Sequence, residues 1–128
     1  MGNMRFSHHQ GRESSIAAVR ALAEKYDIET LVMDPGFSSP MSDYRSEGFR
    51  LVEKAVAAVF PGVISAPYLM TGASDSRFMS QICDACIRFV PITVSDSQMD
   101  GIHGIDENVD LSALAPAVDF YKYILTEV

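Results

Sequence analysis

Two stretches decide how this chain is read: Thr71-Gly72-Ala73-Ser74-Asp75-Ser76-Arg77-Phe78 and Gly101-Ile102-His103-Gly104-Ile105-Asp106-Glu107. Each sets polar side chains in a turn after an apolar segment that reads as a strand. Val63 to Leu69 precedes the first, and Ile87 to Ile92 precedes the second. Between them, Ser74 or Asp75 can cap a helix whose apolar face is Phe78, Ile82 and Ala85. Strands joined by one helix lie parallel in a sheet and release their following loops at the same edge. The expected fold is therefore α/β, with ligand-binding loops leaving the strand ends. His103 is expected on an exposed loop, within reach of the Gly72-Ala73 turn.

Working outward, a helix upstream carries Phe49, Val52, Val56 and Val59 on one face, and Pro61-Gly62 stops it. Ser95 to Asn108 reads as a polar loop. Beyond it, Leu111, Leu114, Val118, Tyr121 and Leu125 fall at helical spacing, with Pro116 in the first turn or at a kink. The N-terminal part reads strand (Asn3 to Ser7), helix, strand (Ile28 to Met33), closed by Asp34-Pro35-Gly36. Its helix places Ile16, Val19, Leu22, Ala23 and Tyr26 on one face. The small, polar loop from Phe37 to Ser46 is the best domain boundary, which divides the chain into residues 1–41 and 42–128.

Composition sets further bounds. The 128 residues are 48% hydrophobic and 21% charged, as in a packed globular protein. A net charge of -7, from 10 basic and 17 acidic residues, argues against nucleic acid or an anionic membrane surface as partner. No apolar run approaches the roughly 20 residues that span a bilayer. Met1 to Gln10 lacks the apolar core of a signal peptide. Cys83 and Cys86 are too few for a secreted disulfide scaffold, and a cytoplasmic location is expected.

Several residues can do chemistry. His103, between Gly101 and Gly104, is a metal ligand or general base with Asp106 and Glu107 orienting its ring, or else a solvated loop histidine. In the other loop, Gly72 allows close backbone approach, the amides opening the next helix favour an anion, and Arg77 offers a fork of donors for a carboxylate. The alternative there is a plain helix cap, with Asp75 paired to Arg77 or Arg88. Cys83-Asp84-Ala85-Cys86 is a lone C-x-x-C without a second pair of ligands, read as small apolar core residues ahead of a thiol or zinc site. His8 and His9 are read as surface residues.

Taken in order, Pro67, then Gly72-Ala73-Ser74-Asp75-Ser76-Arg77-Phe78, Ile87-Arg88-Phe89-Val90-Pro91, His103 with Asp106-Glu107, and an apolar C-terminal helix resemble a known pattern. It is the end of the di-zinc exopeptidase and amidohydrolase family that includes aminoacylase, carboxypeptidase G and succinyl-diaminopimelate desuccinylase. The resemblance covers essentially the whole chain, and the first 41 residues resemble the second half of that family's ferredoxin-like lid, or dimerisation, domain. The remainder resembles the C-terminal part of the catalytic α/β domain.

The resemblance implies a role for each matching position. His103 matches the family's last zinc ligand, and Gly72 and Ala73 match the loop whose backbone receives the substrate's carbonyl or carboxylate end. Ser74, Asp75 and Arg77 match the polar turn beside it, with Asp75 bracing the loop. Asn3 matches a lid asparagine that helps hold substrate. The family's other zinc ligands, its general-base glutamate and its lid histidine have no counterpart here. In the intact enzyme, zinc-bound hydroxide would attack an amide carbonyl while that glutamate shuttled the proton. A catalytic zinc needs three protein ligands or more, and this chain supplies one. The chain thus reads as the C-terminal portion of a zinc-dependent hydrolase of peptides or N-acyl amino acids, inactive by itself and prone to form homodimers. A non-enzymatic binding or assembly protein that kept the fold is the rival reading, and a small thiol protein the third.

Overall fold

The computed structural model describes residues 2, 4–6, 9–33, 39–70 and 72–127. Among them the regular structure is helical, and no strand forms. The order is α1 (Arg12–Glu24), α2 (Glu47–Val59), α3 (Ser76–Met79), α4 (Asp96–Asp100), then a 3-10 turn (Leu111–Ala113) that runs into α5 (Leu114–Glu127). None of these helices is long and apolar enough to cross a membrane. The chain divides into two units: Met1–Ser42 with Tyr68–Cys86, and Asp43–Pro67 with Ile87–Val128.

In the first unit, α1 starts after Gly11, whose carbonyl accepts from Ser15 N–H at 3.1 Å and from the Ser14 hydroxyl at 2.9 Å. It ends in a Schellman arrangement. Asp27 takes the left-handed conformation (φ 54°), its N–H donates to the Glu24 carbonyl, and Ile28 N–H reaches back to the Ala23 carbonyl. The expected apolar stripe is present but barely covered: Ile16 is buried, whereas Val19 and Leu22 are 46% and 56% exposed. Ser42 closes this unit. Its hydroxyl accepts from Cys86 N–H at 2.8 Å and donates to the Cys86 carbonyl at 3.1 Å, so one side chain satisfies both backbone groups of a distant residue.

The second unit is built on α2 and α5. Ser46 caps α2 by accepting from Phe49 N–H at 3.3 Å. Pro61-Gly62 ends the helix as expected, with Gly62 at φ 86° and Val63 N–H bonded to the Phe60 carbonyl. Ala55 and Val56 pack with Phe120 of α5, surrounded by Val52, Val59, Phe60, Tyr123 and Ile124. Phe89 adds its ring to Phe120 at 5.1 Å between centroids. Pro116 is the third residue of α5, in the first turn, where its missing N–H costs nothing.

Three expectations are corrected. The face of α5 expected inside (Leu111, Leu114, Val118, Tyr121, Leu125) is exposed, and the stripe through Phe120, Tyr123 and Ile124 meets α2 instead. Apolar residues occur on both sides of α5, so periodicity identifies the helix while contact with α2 selects its phase. The helix expected after Asp75, with Phe78, Ile82 and Ala85 inward, is a single turn, and Ile82 is 77% exposed. With no element covering that face, propensity alone does not extend a four-residue helix.

The third correction concerns the sheet. The strands expected over Ile28 to Met33, Val63 to Leu69 and Ile87 to Ile92 are irregular. A strand exists through ladder bonds to a second backbone, and the described residues set none beside these segments. Inside the last one, Ile92 N–H bonds the Val90 carbonyl at 2.9 Å, a tight turn about the fully buried Pro91. The first expected strand, Asn3 to Ser7, lies partly outside the described residues. Without the parallel pair, the argument that Gly72 and His103 share a sheet edge loses its basis.

Candidate functional site

The loop of the first unit is short and polar. Gly72 and Ala73 are exposed at its start. The Ser74 hydroxyl lies 2.7 Å from that of Ser76, and Arg77 N–H closes a turn on the Ser74 carbonyl at 3.1 Å. Asp75 stands at the helix start without using its carboxylate as a cap. Arg77 does not aim a fork of donors into the loop: its guanidinium lies over the Phe78 ring, 4.7 Å from the centroid. The ion pairs found among the described residues are Arg12–Glu13 and Lys122–Asp119, neither in this loop.

A different cation stands at the glycine. A Cβ built on Gly72 would lie 4.0 Å from Nη1 of Arg5 and 3.9 Å from Cγ of Met70. The backbone that the sequence marks for an anion therefore has a guanidinium beside it, supplied from the start of the chain. Sequence reasoning missed Arg5, since a pairing between residues 67 positions apart leaves no local trace. Asn3 and His8 lie outside the described residues, and His9 is exposed.

The second loop is more tightly built. Ser95 and Gln98 form a capping box that opens α4: the Ser95 hydroxyl accepts from Gln98 N–H at 3.3 Å, and Gln98 Oε1 accepts from Ser95 N–H at 2.8 Å. The Ser-x-x-Gln spacing is the sequence signal for this helix, so the start of the expected polar loop is helical. After Gly101 the chain turns twice through left-handed residues, His103 and Asp106, both at φ 62°. A non-glycine residue there costs up to about 1–2 kcal/mol, with histidine and aspartate among the more tolerant types. Gly104 sits in a close turn: its N–H bonds the Gly101 carbonyl at 2.8 Å, and a Cβ would come 3.0 Å from that same oxygen, so the turn would have to open by a few tenths of an ångström.

His103 is exposed, as expected. Glu107 does not orient its ring: Oε2 of Glu107 accepts from the backbone N–H of His103 at 3.2 Å. Asp106 contributes its carbonyl, which accepts from Asn108 Nδ2 at 2.7 Å. Glu107 thus acts on the loop backbone rather than on the imidazole. Cys83 is exposed and Cys86 half-buried, with the Cys86 thiol 3.9 Å from the Cys83 carbonyl; both are free.

Among the described residues, no group of three or more His, Cys, Asp and Glu side chains gathers where it could hold a metal ion. A catalytic zinc takes three protein ligands. One imidazole, with Glu107 engaged on a backbone amide, does not make such a set, and no chemical step through a metal is derived from it.

Residues 6–127 match peptidase family M20/M25/M40. The chain is 36% identical over 88 residues to the N-fatty-acyl-amino acid synthase/hydrolase PM20D1 of Homo sapiens, covering 68% of this chain and 17% of that protein. It is 30% identical over 87 residues to a probable carboxypeptidase S-like 2 of Dictyostelium discoideum, again 68% of this chain and 17% of the relative. It is 29% identical to the succinyl-diaminopimelate desuccinylase of Paraburkholderia xenovorans, over all of this chain and 32% of that enzyme. The chain therefore spans between about a sixth and a third of the length of these relatives. No solved structure matches it significantly.

Proposed function

The chain belongs to peptidase family M20/M25/M40, and from that premise we propose that it is the C-terminal portion of a zinc-dependent hydrolase of peptide or N-acyl amino acid amide bonds. The family supports a hydrolase with an α/β peptidase fold; the zinc, the substrate and the portion assigned here are our reading. In it, residues 1–41 are the second half of the lid domain, and residues 42–128 complete the catalytic domain. The three segments expected as strands then gain ladders only when the rest of that sheet lies beside them.

The observation that supports this reading is the nearness of Arg5 to Gly72, where a Cβ would lie 4.0 Å from Arg5 Nη1. A carboxylate at the exposed Gly72-Ala73 backbone would meet the Arg5 guanidinium, and a carboxylate is what a free amino acid or the C-terminal end of a peptide presents. Ser74 adds a hydroxyl next to that turn, Arg77 adds positive charge, and Asn3 is assigned to the same substrate. His103 is assigned as one ligand of a metal centre whose other ligands lie outside this chain, with Asp106 and Glu107 shaping its loop.

Sparse burial also supports an incomplete catalytic domain. A compact chain of this size buries about two thirds of its unfolded surface. Here, among the described residues, the buried apolar side chains are Ile16, Ala55, Val56, Phe120 and Pro91. Ile64, Tyr68, Leu31 and Ile105, each more than 80% exposed, await cover. The free thiols are in keeping with a cytoplasmic location.

The reading is tested by joining the chain to the upstream catalytic segment of a family relative and assaying N-acyl amino acids and dipeptides with zinc. Turnover should appear in the joined protein, disappear in His103→Ala, and lose affinity for the carboxylate substrate in Arg5→Ala. Full activity in His103→Ala would end the assignment of that ligand.

A further inference from the structure

We propose that Gln98 and Asn108 are positioning residues that hold the backbone of His103 in its left-handed conformation. The inference rests on reading His103 as a metal ligand, and it concerns residues that neither the family match nor the relatives assign. The loop between α4 and the 3-10 turn must place two non-glycine residues, His103 and Asp106, at φ 62°. Histidine and aspartate enter that region more readily than most non-glycine residues but still at a cost, and groups outside the two residues offset it by fixing the ends of the turn.

The structure provides those groups as one directed chain of hydrogen bonds. Ser95 N–H donates to Gln98 Oε1 at 2.8 Å, Gln98 Nε2 donates to Asn108 Oδ1 at 3.2 Å, and Asn108 Nδ2 donates to the Asp106 carbonyl at 2.7 Å. Each side-chain amide uses its oxygen as acceptor and its nitrogen as donor, so the order fixes both amide orientations. Gln98 is buried, at 9% exposure, and has no role in the apolar core of this unit. Its burial is explained by this link, which ties the start of α4 to the chain beyond His103. A buried amide with both ends satisfied holds one geometry, whereas a half-satisfied one is costly.

The two ends so fixed are Ser95 and Asp106, and the span between them contains Gly101, His103 and Gly104. Within it, Gly104 N–H on the Gly101 carbonyl and Glu107 on His103 N–H complete the turn. The contacts of Glu107 with His103 N–H and of Asn108 with the Asp106 carbonyl are both exposed, whereas the Gln98–Asn108 bond is half-buried. That half-buried bond is what ties this loop to the start of α4.

The test uses the 128-residue chain, with nuclear magnetic resonance of backbone amides. In the parent chain, His103 should show the coupling constant and carbon shifts of a left-handed residue. In Asn108→Ala those signals should move to averaged values, while Val56 and Phe120 keep their native shifts. Asn108→Asp keeps the acceptor for Gln98 and loses the donor to Asp106, and should fall between. Gln98→Ala should repeat the Asn108→Ala result; should it unfold α4, Asn108→Ala alone decides. Left-handed His103 signals unchanged in Asn108→Ala, with the core intact, would overturn the inference. This readout involves no metal and no turnover, so its failure leaves the ligand assignment standing. Failure of that assignment would show separately, as activity retained by His103→Ala in the joined protein.

Discussion

Gln98 Nε2 donates to Asn108 Oδ1 at 3.2 Å across the loop that carries His103. That single bond joins the capped start of α4 to the strained turn beyond it. The consequence is a histidine exposed to solvent on a backbone that is not free to relax. Such strain is kept where the surroundings over-determine it, as at ligand-holding turns.

Gly104→Ala should destabilise the loop. Gly104→Ala brings a Cβ to 3.0 Å from the Gly101 carbonyl oxygen, which is backbone and cannot swing aside. We expect a loss of about 1–2 kcal/mol in urea unfolding. Gly72→Ala, whose Cβ would meet only side-chain ends at 3.9 Å or more, should stay within about 0.5 kcal/mol.

The phase of α5 can be checked by truncation. Phe120→Ala should cost about 3–5 kcal/mol, because it empties the centre of the contact with Ala55 and Val56. Leu111→Ala and Leu125→Ala, at positions 82% and 79% exposed, should change stability by less than about 0.5 kcal/mol. Equal costs at all three positions would mean that the opposite face is the packed one.

Asp27→Gly should stabilise α1. The position is left-handed and closes the helix, and glycine meets that conformation without a Cβ penalty. A gain of about 0.5–1 kcal/mol, read from helicity against urea, is the expected result; Asp27→Val should lose at least as much.

The chain by itself should hydrolyse neither dipeptides nor N-acyl amino acids. The ground is the ligand count, one imidazole where a catalytic zinc takes three ligands. Zinc-dependent turnover that survives stringent purification would refute it.

Association through the first 40 residues is also expected, since Val19 and Leu22 stand uncovered on α1. Sedimentation of the chain and of Leu22→Glu should show the substitution shifting the population toward monomer. A parent chain that is strictly monomeric at roughly tens of micromolar would count against that face as the contact.

The sequence by itself determined the family, the three longest helices and the stop after α2. The ordered pair of motifs around Gly72 and His103 identified the family, because a turn chemistry repeated in a fixed order is carried by the residues themselves. Ile16 to Tyr26 and Phe49 to Val59 gave their helices through local periodicity, and Pro61-Gly62 its stop, since these depend on neighbours a few residues away. Only the tertiary structure decided the rest. The buried side of α5 follows from where α2 meets it. Arg5 stands near Gly72 from 67 residues upstream, and Glu107 accepts from the His103 backbone N–H rather than facing its ring. The segments read as strands are irregular for the same physical reason: helices close their hydrogen bonds within one segment, whereas strands, faces and sites need a second piece of chain beside them.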